Sequence, residues 1–260
     1  MESSNDSTAD LANRYRDGVN AFTTCVARMH TTSRQTMSKE AGERLYWGSV
    51  LFTRMTSIST SILTLCPESV LTDTVCWDFG SIASLVRNLH ECALFMFYLA
   101  IEAIPPDEWR ARLNVMQLHD FTERRKMFRD FGHTKEEEAQ YDFVAADLHS
   151  KLRDNTFFAG LESPLQKDLL KGSRAMYLTN KQISRCMGDT EQNIWGWYRF
   201  FSCHTHSTPL SFYRVDEQKR DGTETDIEKD YVYTALQFAT QVLDRAIVDY
   251  LREHGVIQSK

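Results

Sequence analysis

The densest group of chemically reactive side chains lies within residues 195–209, where Arg199 is followed by His204 and His206. An arginine binds a phosphate through its charge and its forked donors, and a histidine can give or take a proton near neutral pH. Cleavage of a phosphodiester at a ribose hydroxyl requires both groups. We therefore take Arg199, His204 and His206 as candidate catalytic residues.

A second polar group lies in the most apolar stretch of the chain. Arg87 and Glu91 are four residues apart, so on a helix they share a face and can pair, and His90 flanks them. One interpretation is a polar site in which the arginine binds an anion, and the other is a structural ion pair at a helix crossing. On the first interpretation the candidate binding residues are Arg87, His90 and Glu91, together with Tyr198 and Ser202.

The two histidines also allow structural and metal-binding interpretations. On the structural one, His204 and His206 cap a helix end and hydrogen-bond to loop carbonyls before Pro209. On the metal-binding one they are paired ligands with Cys203 or Glu91, but a third ligand at the usual spacing is missing. We therefore predict no metal and no cofactor.

Residues 179–198 match the spacing of a helix-turn-helix, with Gly188 at the turn. The second helix of this pattern exposes residues 191–193 and has no lysine or arginine before Arg199, so phosphate contacts are poorly supplied. An ordinary helical hairpin with a glycine corner is the alternative.

The composition is that of an ordinary globular protein, with 42% apolar and 25% charged residues, and it excludes a disordered chain. Only 11 glycines and 5 prolines interrupt the 260 residues, so long elements are expected. The net charge of −6 argues against nucleic-acid binding by the whole surface, but not against a local basic site.

Apolar residues recur at three- and four-residue steps, which predicts helices over residues 8–32, 38–66, 77–103, 106–131, 135–153, 180–187, 190–203 and 226–254. Glycine and proline breaks predict short helices and turns between residues 155 and 177. We predict an all-α fold, a single bundle of long antiparallel helices with a short helical hairpin before the last helix. It forms one domain over residues 1–260, with residues 1–7 flexible and a polar loop over residues 213–225.

Neither secretion nor a membrane is indicated. The first residues are polar and lack the apolar core of a signal peptide. The longest apolar run, residues 92–101, is about half of the ~20 residues that a membrane helix needs. The six cysteines form no C-x-x-C pair, which is typical of buried, reduced thiols. We predict a cytoplasmic protein.

Two motifs together resemble an uncharacterised bacterial all-helical family, known only as a domain of unknown function. The first is an Arg-x-x-x-Glu helix that leads into an aromatic-rich apolar segment, and the second is a later Tyr-x-x-x-Ser-x-x-x-His-Ser. The resemblance covers residues 40–250 and brings no established activity. The motif residues in this chain are Arg87, Glu91, Tyr98 and Leu99 for the first motif, and Tyr198, Ser202, His206 and Ser207 for the second.

The spacing from Arg199 to the two histidines also resembles the HEPN superfamily of helical bundles. Many of its members are metal-independent ribonucleases of toxin and antiphage systems, marked by an arginine followed after four to six residues by a histidine. They often place a polar residue directly after the arginine, where this chain has Phe200. The resemblance implies RNA as a partner, a cognate antitoxin or another protein as a second one, and a site built across a homodimer.

On the HEPN resemblance, Arg199 holds the scissile phosphate, and His204 or His206 assists attack of the 2′-hydroxyl or protonates the leaving oxygen. The alternative is a non-catalytic helical bundle that binds a small ligand or a protein with the same residues. DNA binding through residues 179–198 is a third hypothesis.

Overall fold

The computed structural model describes residues 2–36, 42–71, 76–188, 191–206, 208–218 and 225–258, and over these ranges the chain contains helices and no strand. The predicted all-α class is confirmed. The helices, in chain order, are α1 (Glu2–Thr36), α2 (Glu43–Leu65), α3 (Phe79–Met96), a π-helical turn (Phe97–Ile101), α4 (Pro106–Asp130), α5 (Lys135–Arg153), α6 (Thr156–Ala159), α7 (Ser163–Leu170), α8 (Asn180–Cys186), α9 (Glu191–Thr205), α10 (Pro209–Gln218) and α11 (Asp226–Glu253).

The chain divides into two compact units. The first consists of residues 1–101 and 184–260, and the second of residues 102–183, so the division falls within α8. Each unit has its own apolar core. That residues 1–260 act as a single domain stays a prediction.

Two predicted boundaries differ from the structure. The polar loop predicted from residue 213 is helical as far as Gln218, since α10 begins at Pro209, and residues 219–224 lie outside the described ranges. Proline is favoured at the first helical position, because the N–H that it lacks would have no partner within the helix there. The helix-starting effect of Pro209 outweighs the charged residues that follow. At the other end, α1 begins at Glu2, whereas the predicted first helix begins at residue 8.

The long helices of the first unit do not all alternate in direction. Arg14 of α1 pairs with Asp230 of α11, and Arg28 pairs with Asp244. From the first pair to the second, the position moves forward by the same number of residues on each helix, so α1 and α11 run parallel. The predicted antiparallel order therefore does not extend to this pair.

Aromatic side chains fix α9 in the core of the first unit. Phe201 is 1% exposed, and its ring centre lies 5.5 Å from that of Phe238 in α11. The ring of Phe200 lies 5.6 Å from Phe79 of α3 and 5.1 Å from Tyr231 of α11. Burial of such rings contributes strongly to core stability, so α9 is held against both α3 and α11.

Cys25, Cys66 and Cys92 are buried, as the sequence predicts for scattered thiols, whereas Cys76 and Cys186 are exposed and Cys203 is partly buried. Burial raises the pKa of the Cys66 thiol to about 12 and that of Cys92 to about 11. The pKa of Cys25 rises to about 12, chiefly through burial and further through the nearby carboxylate of Asp244. These thiols therefore stay protonated, and protonated thiols are poor nucleophiles.

The second unit is organised around a buried arginine. The Arg112 side chain is 1% exposed, and its Nη1 donates to Oε2 of Glu102 at 2.6 Å. It also donates to Oε1 of Glu108, one turn earlier on α4, and that oxygen accepts a further hydrogen bond from the hydroxyl of Tyr177. A charge this deeply buried is stable only when its donors are satisfied, so this network fixes the residue 177 segment to α4.

None of the helices in the described ranges has both the length and the apolar character needed to cross a bilayer.

We expect Arg112→Met to destabilise the protein by about 3–5 kcal/mol, because the two carboxylates then lose their buried partner. Arg124→Met is the matched control, since Arg124 lies on the same helix and pairs with Asp120 four residues earlier, but at the surface. It should cost under about 1 kcal/mol. Urea unfolding of the two variants measures the difference, and equal losses would show that the buried network is not needed.

Candidate functional site

Three of the predicted site residues lie on α3. Its first turn is capped by the Asp78 carboxylate, which accepts a hydrogen bond from the backbone N–H of Ser81 at 3.0 Å. Arg87 and Glu91 follow on one face of this helix, a turn apart. His90 turns inward and is only 5% exposed, with its ring 5.3 Å from that of Phe238.

The other predicted site residues lie on α9 and directly after it. α9 ends at Thr205, shortly before Pro209 begins the next helix. The backbone N–H of His206 donates to the carbonyl of Ser202 at 3.2 Å, so His206 lies in the turn that closes the helix. Tyr198 lies two turns earlier, on the side of α9 that faces α3.

Arg87, Glu91, Tyr198 and His206 form one connected group, here called the arginine–histidine cluster. Nη2 of Arg87 donates to Oε1 of Glu91 at 3.0 Å and to the hydroxyl of Tyr198 at 3.1 Å. The Tyr198 hydroxyl donates in turn to the same Glu91 oxygen at 2.9 Å. Nη1 of Arg87 lies 3.4 Å from Nε2 of His206. The fold thus brings together residues from two distant parts of the chain.

Arg87 is a fixed cation within this cluster. Its side chain is 19% exposed, and its guanidinium carbon lies 5.1 Å from the centre of the Tyr198 ring. Burial acts to lower the pKa of Arg87, but the hydrogen bond with Tyr198 and the charge of Glu91 outweigh it, so the pKa is raised. Its Nε is buried with no hydrogen-bond partner in the described ranges. A held, protonated guanidinium beside an imidazole is suited to bind an anion.

His204 lies apart from the cluster, among aromatic rings. Its ring centre is 4.6 Å from that of Phe79 and 4.9 Å from that of Phe200. Its Nε2 is buried and has no hydrogen-bond partner among the described residues. Burial lowers the pKa of His204. These contacts give His204 a neutral, packed ring rather than an accessible one.

The remaining predicted site residues are Arg199, Ser202 and His90. Arg199 is exposed, and no hydrogen bond or ion pair connects it to either histidine in the part of the chain that the structure describes. The Ser202 hydroxyl donates to the carbonyl of Tyr198 at 2.7 Å, one turn earlier on the same helix. The His90 ring lies 6.3 Å from that of Tyr198.

A cavity of about 450 Å³ lies between α3, α9 and α11 of the first unit. Its lining includes four polar α11 residues that sequence reasoning missed, because the helix is predicted from the spacing of its apolar residues alone. A recognisable signal exists, since these polar residues recur at steps of four and therefore form one stripe along the helix. They are Gln237, Gln241, Arg245 and Asp249.

The charged side chains at one end of this cavity pair with neighbouring protein groups. Arg245 donates to the carbonyl of Met187 and lies 3.8 Å from the carboxylate of Asp249. Asp249 also pairs with Arg252 at 3.0 Å. Burial raises the pKa of Asp249, against the opposing effect of the two arginines.

Helices α8 and α9 cover the two helical segments of the predicted helix-turn-helix, and Gly188 has a φ of +78°, in the left-handed region that glycine adopts at low cost. Ile194 and Trp197 pack against the core of the first unit. The side chains of residues 191–193, on which the DNA-binding hypothesis depends, lie outside the described part of the chain. That hypothesis stays untested.

Over the described ranges, no three His, Cys, Asp or Glu side chains come together in a way that could hold a metal ion.

The lowered pKa of His204 predicts that the free energy of unfolding depends on pH. As the pH falls below about 6.5, the unfolded chain takes up the proton before the folded state does, so stability declines. We expect His204→Phe, which keeps a ring among Phe79 and Phe200, to reduce the loss of unfolding free energy between pH 7 and pH 5. The same change at His30, which is exposed, should leave that loss as in the wild type. Urea unfolding at both pH values checks this, and an unchanged pH dependence in His204→Phe would contradict it.

The sequence matches a family of unknown function, DUF5677, over residues 45–223, which is more than half of the chain. The matched stretch begins in α2 and includes all eight predicted site residues, whereas α1 and α11 lie outside it. Searches of the curated proteins and of the solved structures find no match. The predicted membership in an uncharacterised helical family is thereby confirmed: the chain belongs to the family of unknown function DUF5677.

Proposed function

We propose that this chain is a metal-independent endoribonuclease of the HEPN-like type, and that the arginine–histidine cluster is its active site. The observation that carries the proposal is the 3.4 Å approach of Arg87 Nη1 to His206 Nε2. It places a phosphate-binding cation beside a group that can move a proton. These are the two functions that phosphodiester cleavage at a ribose hydroxyl needs.

Glu91 and Tyr198 support this role by holding the arginine. Both contact Nη2 of Arg87, so the Nη1 side of the guanidinium is left directed toward His206. A guanidinium held before the substrate arrives loses little freedom on binding, which favours stabilisation of the charge that develops in the transition state. We assign Arg87 to the scissile phosphate and Glu91 and Tyr198 to positioning Arg87.

His206 acts as the proton-transfer group. Neutral His206 accepts the proton of the 2′-hydroxyl as its oxygen attacks phosphorus, and the bond from phosphorus to the 5′-oxygen breaks. The 5′-oxygen leaves with a proton from water, and protonated His206 gives its proton to the hydroxide that remains. The products are a 2′,3′-cyclic phosphate and a 5′-hydroxyl end, with no net oxidation or reduction. Exposure of His206 at the end of α9 makes it accessible to a polymeric substrate.

Arg199 fits this proposal as a second phosphate contact. It lies seven residues before His206, which on a helix is the same face. Its guanidinium is exposed, and so it can hold a phosphate next to the one that is cut. The arginine that acts on the scissile phosphate is then Arg87, from α3, and not the arginine on the same helix as the histidine.

Anion binding without cleavage is the second candidate function. The paired, half-buried contacts of Arg87 with Glu91 and Tyr198 favour it, because they hold the cation whether or not chemistry follows. In that case RNA or a smaller anion binds at the cluster and is released unchanged.

We expect the purified protein to cut single-stranded RNA in the presence of EDTA and to leave 2′,3′-cyclic phosphate ends. Arg87→Ala and His206→Ala should each lower kcat by about 100-fold or more, since each removes one function of the site. Mass spectrometry of the products and timed cleavage of a labelled RNA measure both effects.

Two control variants test the assignment of these residues. Arg124→Ala and His30→Ala remove the same residue types at exposed positions, and both should cleave like the wild type. Melting temperatures of all four variants show that lost activity is not lost folding. RNA that binds but stays intact would favour the non-catalytic function, and full activity of His206→Ala would remove the proposed site.

A further inference from the structure

The cavity of the first unit has one apolar wall that is shaped by an unusual helical turn. Phe97 and Ile101 line it, and they are the first and last residues of the π-helical turn that follows α3. A π-helical turn is rare, costs hydrogen-bond geometry and is found often at functional sites. Trp197 of α9 and Phe238 of α11 add two more aromatic side chains to the lining.

The polar side chains of the lining come mostly from a single helix. Thr234, Gln237, Gln241, Arg245 and Asp249 follow one another along α11 at steps of three or four residues, so they line up along the cavity. Gln241 is exposed and makes no side-chain hydrogen bond within the described ranges. A primary amide presents a donor and an acceptor side by side, which matches the edge of a heterocyclic base.

The charges in the lining favour an uncharged ligand. Arg245 and Asp249 lie 3.8 Å apart, and Arg245 also donates to a backbone carbonyl. A fatty acid or another anion would have to compete with the Asp249 carboxylate for this arginine. A neutral molecule with both hydrogen-bond donors and acceptors can bind without displacing Asp249 from Arg245.

We propose that this cavity binds a nucleobase. Aromatic side chains from α9, α11 and the π-helical turn contact the faces of the base, and the amide of Gln241 contacts its edge. The volume of about 450 Å³ accommodates a nucleoside and lies within the range usual for small-molecule sites. Base–aromatic contacts of this kind add binding energy without needing charge.

The cavity shares two helices with the arginine–histidine cluster. His90 lines the cavity and directly precedes Glu91 of the cluster, and Trp197 lines it and directly precedes Tyr198. Each pair is adjacent in sequence, so the cavity and Arg87 are close neighbours. One polynucleotide can therefore place a base in the cavity and a phosphate at Arg87. If the proposed function holds, the base belongs to the RNA being cut; if it does not, the ligand is a free nucleoside.

Isothermal titration of the full-length protein with adenosine, guanosine, cytidine and uridine tests base binding directly. We expect at least one nucleoside to bind. Val242→Trp fills the cavity and should weaken that binding by about tenfold or more, and Gln241→Ala should weaken it by about three- to tenfold through one lost hydrogen bond. Val248→Trp is the matched control, because Val248 lies on the exposed side of the same helix and is absent from the lining.

The outcomes separate this inference from the proposed function. No binding by any nucleoside, or equal binding by Val242→Trp and the wild type, overturns the base site even if RNA is cleaved. Nucleoside binding without RNA cleavage keeps the base site and removes the nuclease. When both activities are present, a changed base preference at the cut in Val242→Trp assigns the cavity to RNA, and an unchanged preference assigns it to a free nucleoside.

Discussion

A charged arginine that is partly removed from water must find partners that hold it, and for Arg87 those partners come from two helices. Glu91 supplies the charge from the same helix, and the hydroxyl of Tyr198 bridges the pair from α9. The hydroxyl both accepts from the guanidinium and donates to the carboxylate, so neither charge is left unsatisfied on that side. This contact sets the position of α9 along α3, and the position of His206 at the end of α9 follows from it.

The aromatic core supports the same arrangement from the other side of α9. Phe200 and Phe201 pack against α3 and α11, and they leave Tyr198 directed toward Arg87. His204 belongs to this packed side, which explains why two histidines only two residues apart have different environments. One residue type at nearly the same place in the sequence can thus be core or site, depending on which side of the helix it occupies.

Much of the fold follows from local sequence, since apolar periodicity and the prolines place most helices close to where they lie. The pairing of Arg87 with Glu91 follows from spacing alone. The link from this pair to Tyr198 and His206 does not, because it depends on how two helices far apart in sequence cross. The same limit applies to the parallel direction of α1 and α11 and to the cavity, since spacing along one helix says nothing about its neighbours. The separate surroundings of His204 and His206 likewise depend on residues of α3 and α11.

The π-helical turn at Phe97–Ile101 gives the end of the helix that begins with α3 a different arrangement of side chains. Its hydrogen bonds reach five residues along the chain instead of four, so the side chains within it follow a different angular spacing from those of α3. Before the turn, the helix contacts α9 through Arg87 and Glu91. Within it, the Ala100 carbonyl accepts a hydrogen bond from Arg44 of α2 at 2.9 Å. One continuous helix thus contacts α9 from its α-helical part and accepts a hydrogen bond from α2 in its π-helical turn.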